Sequence, residues 1–271
     1  MINKAVIFFD DVLIDLSNLY LNFLFLFQRK GMLKKNKQLK NLYKNKKFFI
    51  VGNAPSINNY NLNKLVNKNV IMVNRSYKHP LYKKIKPKFH IFIDPKLSNG
   101  IWPISSIDEI HKLNPKCKII LHAKWFNLPK FKRFKKNKNI YWIRRKILSN
   151  FFDNFNFDMT KQITVAGGVL EAALTIAIYL GSKNLNILGV EGNGIAHLMV
   201  NQSSHFNGKD KDYKNHKSVN FANDMISSSR SIRLWHSLAK VLKKNNVNVY
   251  NLSKEGILDV FKYKKFKIAL K

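Results

Sequence analysis

Acidic side chains are scarce in this 271-residue chain: 15 Asp and Glu stand against 49 Lys and Arg, a formal net charge of +34. Cysteine occurs once, at Cys117. That excludes an intrachain disulfide and any multi-cysteine metal site, and it points to a reducing compartment. No stretch of about 20 uncharged apolar residues is present, as a membrane-spanning helix requires. The nearest approach is Ala5 to Gln28, AVIFFDDVLIDLSNLYLNFLFLFQ, which Asp10, Asp11, Asp15 and Asn22 interrupt. Carboxylates at mid-bilayer are costly, so a full span is not expected. The same run has neither the basic start nor the small-residue cleavage site of a signal peptide, and is expected to be retained. No internal repeat, Walker A loop or GxGxxG fingerprint is found.

What is present is enough for a sizeable core, since 45% of residues are hydrophobic and 13% aromatic. A disordered chain is thereby excluded, and one domain with an appendage fits the length. The excess charge has two readings. One is an anionic partner such as nucleic acid, an anionic membrane or a phosphorylated substrate; the other is a Lys-, Asn-, Ile- and Phe-rich composition of the kind an AT-rich genome produces.

Residues 1–47 form an apolar and then polybasic helical segment, with Arg29, Lys30, Lys34, Lys35, Lys37, Lys40, Lys44, Lys46 and Lys47 following the apolar run. Aromatic and leucine side chains beside such a cluster suit an anionic membrane interface, and equally a helix packed on the domain or on a partner subunit. The domain proper, residues 48–271, opens with FFIV (48–51), a short apolar run ending in turn residues. Further strand candidates are Val70 to Val73, Phe89 to Ile93, Lys118 to Leu121, Leu185 to Leu188 and Asn248 to Tyr250. Gly168 to Leu180 is apolar nearly all round and reads as a buried helix. Strand and helix alternate, which predicts an α/β, Rossmann-like, mainly parallel sheet with helices on both faces. Ligands in such sheets sit at the carboxyl ends of the strands. The segment from Lys124 to Lys146, with interleaved aromatic residues, has the composition of a stacking surface for nucleic acid. No nucleic-acid motif accompanies it, and the expectation is a surface helix or lid with buried ring faces rather than a nucleic-acid partner.

Three strand ends carry an Asn or Asp. The turn after FFIV is Gly52-Asn53-Ala54-Pro55-Ser56, where a glycine permits close backbone approach and N–H groups can cradle a phosphate or base, or simply turn the chain. Asn74 follows the second strand and Asp94 the third. In parallel neighbours these ends converge on one rim. Thr164, Gly167 and Gly168 precede the buried helix and can present N–H groups and a partial positive charge to an anion, or permit tight packing. After LNIL come Gly189 and Glu191, then a lid-like segment near 192–224 that holds His205, Tyr213 and His216. A histidine there is a candidate general base, with an ordinary pKa of about 6.5. His197, His205 and His216 match no metal-site spacing, and no metal ligand set is expected.

FFIVGNAPSI, VNRSY, FIDPK and ITVAGGVLEAALTIAIYLGSKNLNILGVE, with SHFNG and VNVYNLSKEGILDVF near the end, resemble bacterial sialyltransferases of the Campylobacter type. They also resemble the related superfamily containing archaeal 6-hydroxymethylpterin diphosphokinase and its polysaccharide-cluster members. The resemblance runs from about Phe48 to Phe261. It implies a cytoplasm-facing glycosyltransferase of lipopolysaccharide or capsule assembly, taking a CMP-activated sugar as substrate without a cofactor; a peripheral place on the inner membrane is one of the two readings of residues 1–47. The acceptor is then a glycan or lipid-linked glycan. The resemblance puts Asn53 and Ser56 in the nucleotide-contacting turn, Asn74 near the phosphate and donor sugar, and Asp94 at a donor-contacting position; Gly52, Thr164, Gly167, Gly168 and Glu191 join them as candidate nucleotide and donor contacts from their places at strand and helix ends. It puts catalysis in the late polar loop, with His216 first, His205 second and Tyr213 as a substitute for the sialyltransferases' paired tyrosines. Asp94 departs from the asparagine of those enzymes. The competing function is pyrophosphoryl transfer from ATP to a pterin, with Mg²⁺ held by Asp94 and Glu191.

Overall fold

The computed structural model describes residues 2–26, 31–148, 155–165, 167–208 and 217–271. Its centre is a nine-stranded sheet in which every pairing is parallel. The strands are β1 (Lys47–Val51), β2 (Asn69–Val73), β3 (Phe89–Phe92), β4 (Lys118–His122), β5 (Ile140–Ile147), β6 (Gln162–Val165), β7 (Asn184–Leu188), β8 (Asn248–Asn251) and β9 (Lys262–Tyr263). Their spatial order is β6-β5-β4-β3-β2-β1-β7-β8-β9. The chain therefore runs outward from β1 to one edge, crosses back, and resumes on the other side of β1. β1 and β7 flank the point where the order reverses, the crevice where open α/β sheets take their ligands.

Continuous apolar strands are what a sheet covered on both sides demands. In β1, Phe48 and Ile50 face one cluster, with Leu174, Leu180 and Leu238, while Phe49 and Val51 face the other, with Ile57, Leu62 and Leu65. The first face is covered by the buried helix Val169–Tyr179 and by the long helix Ser218–Lys244, which contributes Leu234, Leu238 and Leu242. The second is covered mainly by short turns, 3-10 segments and the helix Ser106–Leu113. Segment 192–224 holds the short helix Gly194–Met199 and the first turns of the long helix.

β5, β6 and β9 were not among the expected strands. β5 lies inside the basic aromatic segment, and its charge disguised it. Trp125, Phe131, Phe134, Tyr141 and Trp142 are buried. Their rings are core, but the segment is strand and short turn rather than a surface helix. Arg145 Nη1 donates to the Gly167 carbonyl at 2.7 Å, and Arg144 Nη2 donates to that of Leu21, so both cations serve backbone acceptors.

The polybasic stretch is partly docked. Asn36 is buried and its Nδ2 donates to the carbonyls of Trp142 (2.8 Å) and Met159 (2.7 Å), while Lys35 Nζ donates to those of Asn137 and Ile140. Ahead of it, the helix Ile2–Leu26 lies against the body. Asn18 exchanges hydrogen bonds with the backbone of Ile147 (2.8 and 3.1 Å), and Asp10 is gripped by Arg230 and Arg233 of the long helix. Desolvation works against the Asp10 carboxylate, but hydrogen bonds and charge from Arg230 and then Arg233 hold it below the usual carboxylate range. Among the described residues no helix is long and apolar enough to cross a membrane.

Because Asp10 is depressed, its contribution is complete above about pH 4, the unfolded value, and is lost as pH falls through its own lower value. Asp10→Ala is expected to lower stability by about 1 kcal/mol at neutral pH. Amide exchange should speed up in Ile2–Leu26 while the sheet stays protected; uniform protection in the variant would contradict the clasp.

Candidate functional site

β1 and β7 meet at their carboxyl ends through two glycines. Gly52 N donates to the Leu188 carbonyl at 2.8 Å and Ala54 N to that of Gly189 at 2.9 Å, continuing the ladder past the strands. A Cβ on Gly52 would collide with the Gly189 carbonyl oxygen, and one on Gly189, which sits at φ +67°, would collide with Ile57. Only glycine allows this approach. It opens a cavity of about 420 Å³ bounded by the loops after β1, β2 and β7, the start of the helix Val169–Tyr179, and one face of the long helix. That volume suits a small organic ligand.

Asn53 and Asn74 line the floor, both buried, and the Oδ1 atom of each has no hydrogen-bond partner. Asn74 is held in a left-handed conformation, φ +48°. What holds it is a histidine in the sheet. His90 of β3 is fully buried, and since a carbonyl only accepts, its Nε2–H donates to Asn74 O at 2.8 Å. Its Nδ1 then accepts from the Tyr82 hydroxyl at 3.1 Å. Burial pushes the imidazole down to about 3, against the Asn74 hydrogen bond, so it is neutral at physiological pH. A rigid neutral donor thus fixes the backbone from which the Asn74 amide enters the cavity.

The far walls are hydroxyl-rich. Ser227, Ser228 and Ser231 of the long helix line the cavity, with Ser204, His205, Glu191, Asp224 and Trp235. No lysine or arginine is among the described lining residues of a chain that carries 49 of them. Trp235 Nε1 donates to Glu171 Oε1, which ties the long helix to the first turn of Val169–Tyr179. Burial raises the Glu171 carboxyl, opposed by its own N–H, Trp235, the Gly168 N–H and the charge of Arg145.

A family model described as 6-hydroxymethylpterin diphosphokinase MptE-like matches residues 25–192, more than half of the chain and the whole of the rim from β1 to Glu191. The chain belongs to the MptE-like family. No curated protein sequence matches it. Among solved structures, this MptE-like chain is similar to the sialyltransferase CstII from Campylobacter jejuni in complex with a substrate analogue, cytidine-5'-monophosphate. Identity is 17% and TM-score 0.48, over 82% of this chain and 86% of that one. It is also similar to the sialyltransferase CST-II in complex with trisaccharide acceptor and CMP, at 16% identity and TM-score 0.46 over 81% and 86%. The MAf glycosyltransferase from Magnetospirillum magneticum AMB-1 follows at 13% identity and TM-score 0.47, over 87% of this chain and 38% of that one. Likeness at this level says nothing about chemistry.

Of the residues that the sequence singles out, Gly52, Asn53, Asn74, Glu191 and His205 line the cavity of the MptE-like chain. Gly167 and Gly168 sit beside it: a Cβ on Gly167 would come within 2.9 Å of Ser231 Oγ, and one on Gly168 within 2.7 Å of the Glu171 carboxylate. Ser56, Asp94 and Thr164 do not line it. Ser56 N donates to Glu191 Oε1 at 2.9 Å, and its hydroxyl is 3.5 Å from that of Ser253. Asp94 Oδ1 accepts from Lys96 N, capping the turn Pro95–Ser98. The Thr164 hydroxyl accepts from Asn156 N and its carbonyl from the Thr175 hydroxyl. His216 and Tyr213 lie outside the described residues.

For Mg²⁺, Asp94 and Glu191 make a poor pair. Each spends an oxygen on a backbone N–H, the second Glu191 oxygen is 3.5 Å from His197 Nε2, and no cluster of three or more His, Cys, Asp or Glu exists among the described residues. His90, Glu171 and the serines of the long helix were missed from the sequence. A polar residue inside an apolar strand run was the one signal for His90; the serines carried none.

His90 and His122, the latter also lowered to about 3 by burial and then by the charges of Arg145, Lys124 and Arg144, are neutral when folded but protonate near pH 6.5 in the unfolded chain. Stability is therefore complete above pH 6.5 and falls on acidification toward 3, by about 1.4 kcal/mol per pH unit per histidine. His90→Phe removes the hydrogen bonds to the Asn74 carbonyl and from the Tyr82 hydroxyl, which keeps only its contact with Cys117 Sγ, and is expected to cost about 2 kcal/mol at pH 7. Denaturant melts from pH 7 to pH 4 should show the variant with a shallower slope than the wild type.

Proposed function

We propose that this chain is a glycosyltransferase that takes a sugar from a CMP-activated donor, sialyltransferase-like in chemistry, and passes it to a glycan or lipid-linked glycan. The observation that carries this assignment is the pair of unpartnered amide oxygens, Asn53 Oδ1 and Asn74 Oδ1, on the floor of a hydroxyl-rich cavity at the strand-order switch. Buried acceptors without partners are costly in the free protein and are relieved by ligand donors. Ribose hydroxyls and the amino group of a cytosine are such donors. A nucleoside triphosphate, by contrast, brings several negative charges to a lining whose described members include Glu191 and Asp224 and no lysine or arginine.

Gly52 N and Ala54 N serve the Leu188 and Gly189 carbonyls and the Gly168 N–H faces Glu171, so the donor's monophosphate is met by the hydroxyls of Ser227, Ser228 and Ser231 on the facing wall. For transfer, a histidine takes the proton of an acceptor hydroxyl as the hydroxyl oxygen bonds to the anomeric carbon and the bond to the phosphate breaks. The electron pair leaves with CMP, where hydroxyl donors stabilise it. His216 is the first candidate and His205, on the cavity wall, the second.

Pyrophosphoryl transfer from ATP to a pterin is the second reading, favoured by the description of the family model. The two separate on a thermal-shift panel. CMP or CDP without metal is expected to raise the melting temperature, by the equivalent of about 2.7 kcal/mol at about 100 times its dissociation constant. Asn53→Ala and Asn74→Ala should abolish the shift. Stabilisation by ATP with Mg²⁺ and not by CMP would transfer the assignment to the pterin chemistry. Under the glycosyltransferase reading, His216→Ala should lower transfer by ~10²–10⁴; a loss confined to His205→Ala would move the base to His205.

A further inference from the structure

The helix Ile2–Leu26 is built inside out. Asp11, Ile14, Asp15 and Asn18 turn toward the body and are between 3% and 8% exposed. Val6, Phe9, Leu13, Leu16, Leu19 and Tyr20 point away from it and are between 57% and 64% exposed. With 3.6 residues per turn these six span an arc of roughly 140°, a face as broad as the core-facing stripe of an ordinary surface helix. That face holds no charged side chain, since Asp10 is drawn aside to Arg230 and Arg233 and Asp11 lies 3.8 Å from Arg233. A soluble helix normally buries its leucines and wets its aspartates. Here the body takes the aspartates, and the apolar face is left for something else.

We propose that this outward face is a membrane-docking surface that lies in the interface of a bilayer containing anionic lipid. Two observations select a bilayer over a second copy of the chain. The arc is wider than the narrow two-column seam by which one helix pairs with another, and a flat apolar contact uses all of it. The chain carries a net charge of +34, which repels a second copy and attracts an anionic surface. Exposed Lys34, Lys37, Lys40, Lys44 and Lys46 come 8 to 20 residues after the end of the helix at Leu26, the combination of apolar insertion and basic attraction that holds peripheral proteins. The docking does not depend on which transfer the cavity performs.

The test is co-sedimentation of the full-length protein with vesicles of phosphatidylcholine, with or without phosphatidylglycerol, at low salt. Wild-type protein is expected to bind phosphatidylglycerol vesicles about tenfold or more tightly than phosphatidylcholine vesicles. The variant Phe9→Ser/Leu13→Ser/Leu16→Ser should lose about tenfold or more of that binding. Its melting temperature should be unchanged, because these side chains are largely exposed. Wild-type protein that stays in the supernatant with both vesicles, or a triple variant that binds as wild type, would overturn the proposal. So would light scattering that shows a wild-type dimer, made monomeric by the triple substitution, without vesicle binding; the face would then belong to a second copy.

Discussion

The contact between Gly52 and Gly189 is the constraint on which the carboxyl rim depends. β1 and β7 come from opposite ends of the chain's excursion to the β6 edge, and their backbones continue to pair beyond the strands only because neither glycine has a side chain to keep them apart. From that approach follow the aim of Asn53 into the cavity and the tie from Ser56 to Glu191. Phe206 N reaches Asn53 O at 2.8 Å, which brings His205 to the cavity wall.

Around this contact the protein buries polar groups and holds several of them neutral or hydrogen-bonded. His90 is an uncharged spacer between Tyr82 and the Asn74 carbonyl. Glu171 is matched by Trp235 and by the N–H groups of its own helix start. Buried polar groups earn their place when every member finds a partner. Other buried atoms, such as Ser76 Oγ and Asn186 Oδ1, also lack partners, but the amide oxygens of Asn53 and Asn74 belong to residues that line the cavity, where a ligand can supply the donor.

Charge is partitioned with the same consistency. Lysine and arginine dominate the composition, yet the described cavity lining has neither. The arginines that do enter the body are spent on carbonyls, as with Arg144 and Arg145, or on Asp10, as with Arg230 and Arg233. The long helix Ser218–Lys244 joins these regions, with Arg230 and Arg233 on the N-terminal helix, Ser231 and Trp235 on the cavity, and Leu238 and Leu242 in the core.

From the sequence by itself came the α/β class, six of the strands, the buried helix and the rim formed by Asn53 and Asn74. These are local signals: apolar runs of strand length, turn residues after them, and a helix apolar all round. β5 was hidden because its RRK tail reads as surface until Gly167 and Leu21 supply acceptors for the arginines. The roles of Ser56, Asp94 and Thr164 as backbone ties, and of His90 as the support of Asn74, were decided only by tertiary structure. So was the outward turn of the leucines in the first helix. Ser56 depends on Glu191, and the first helix on Arg230 and Arg233, more than a hundred residues away along the chain; Asp94, Thr164 and His90 have nearer partners, but spacing within a segment carries no information about which backbone group will come within hydrogen-bond reach.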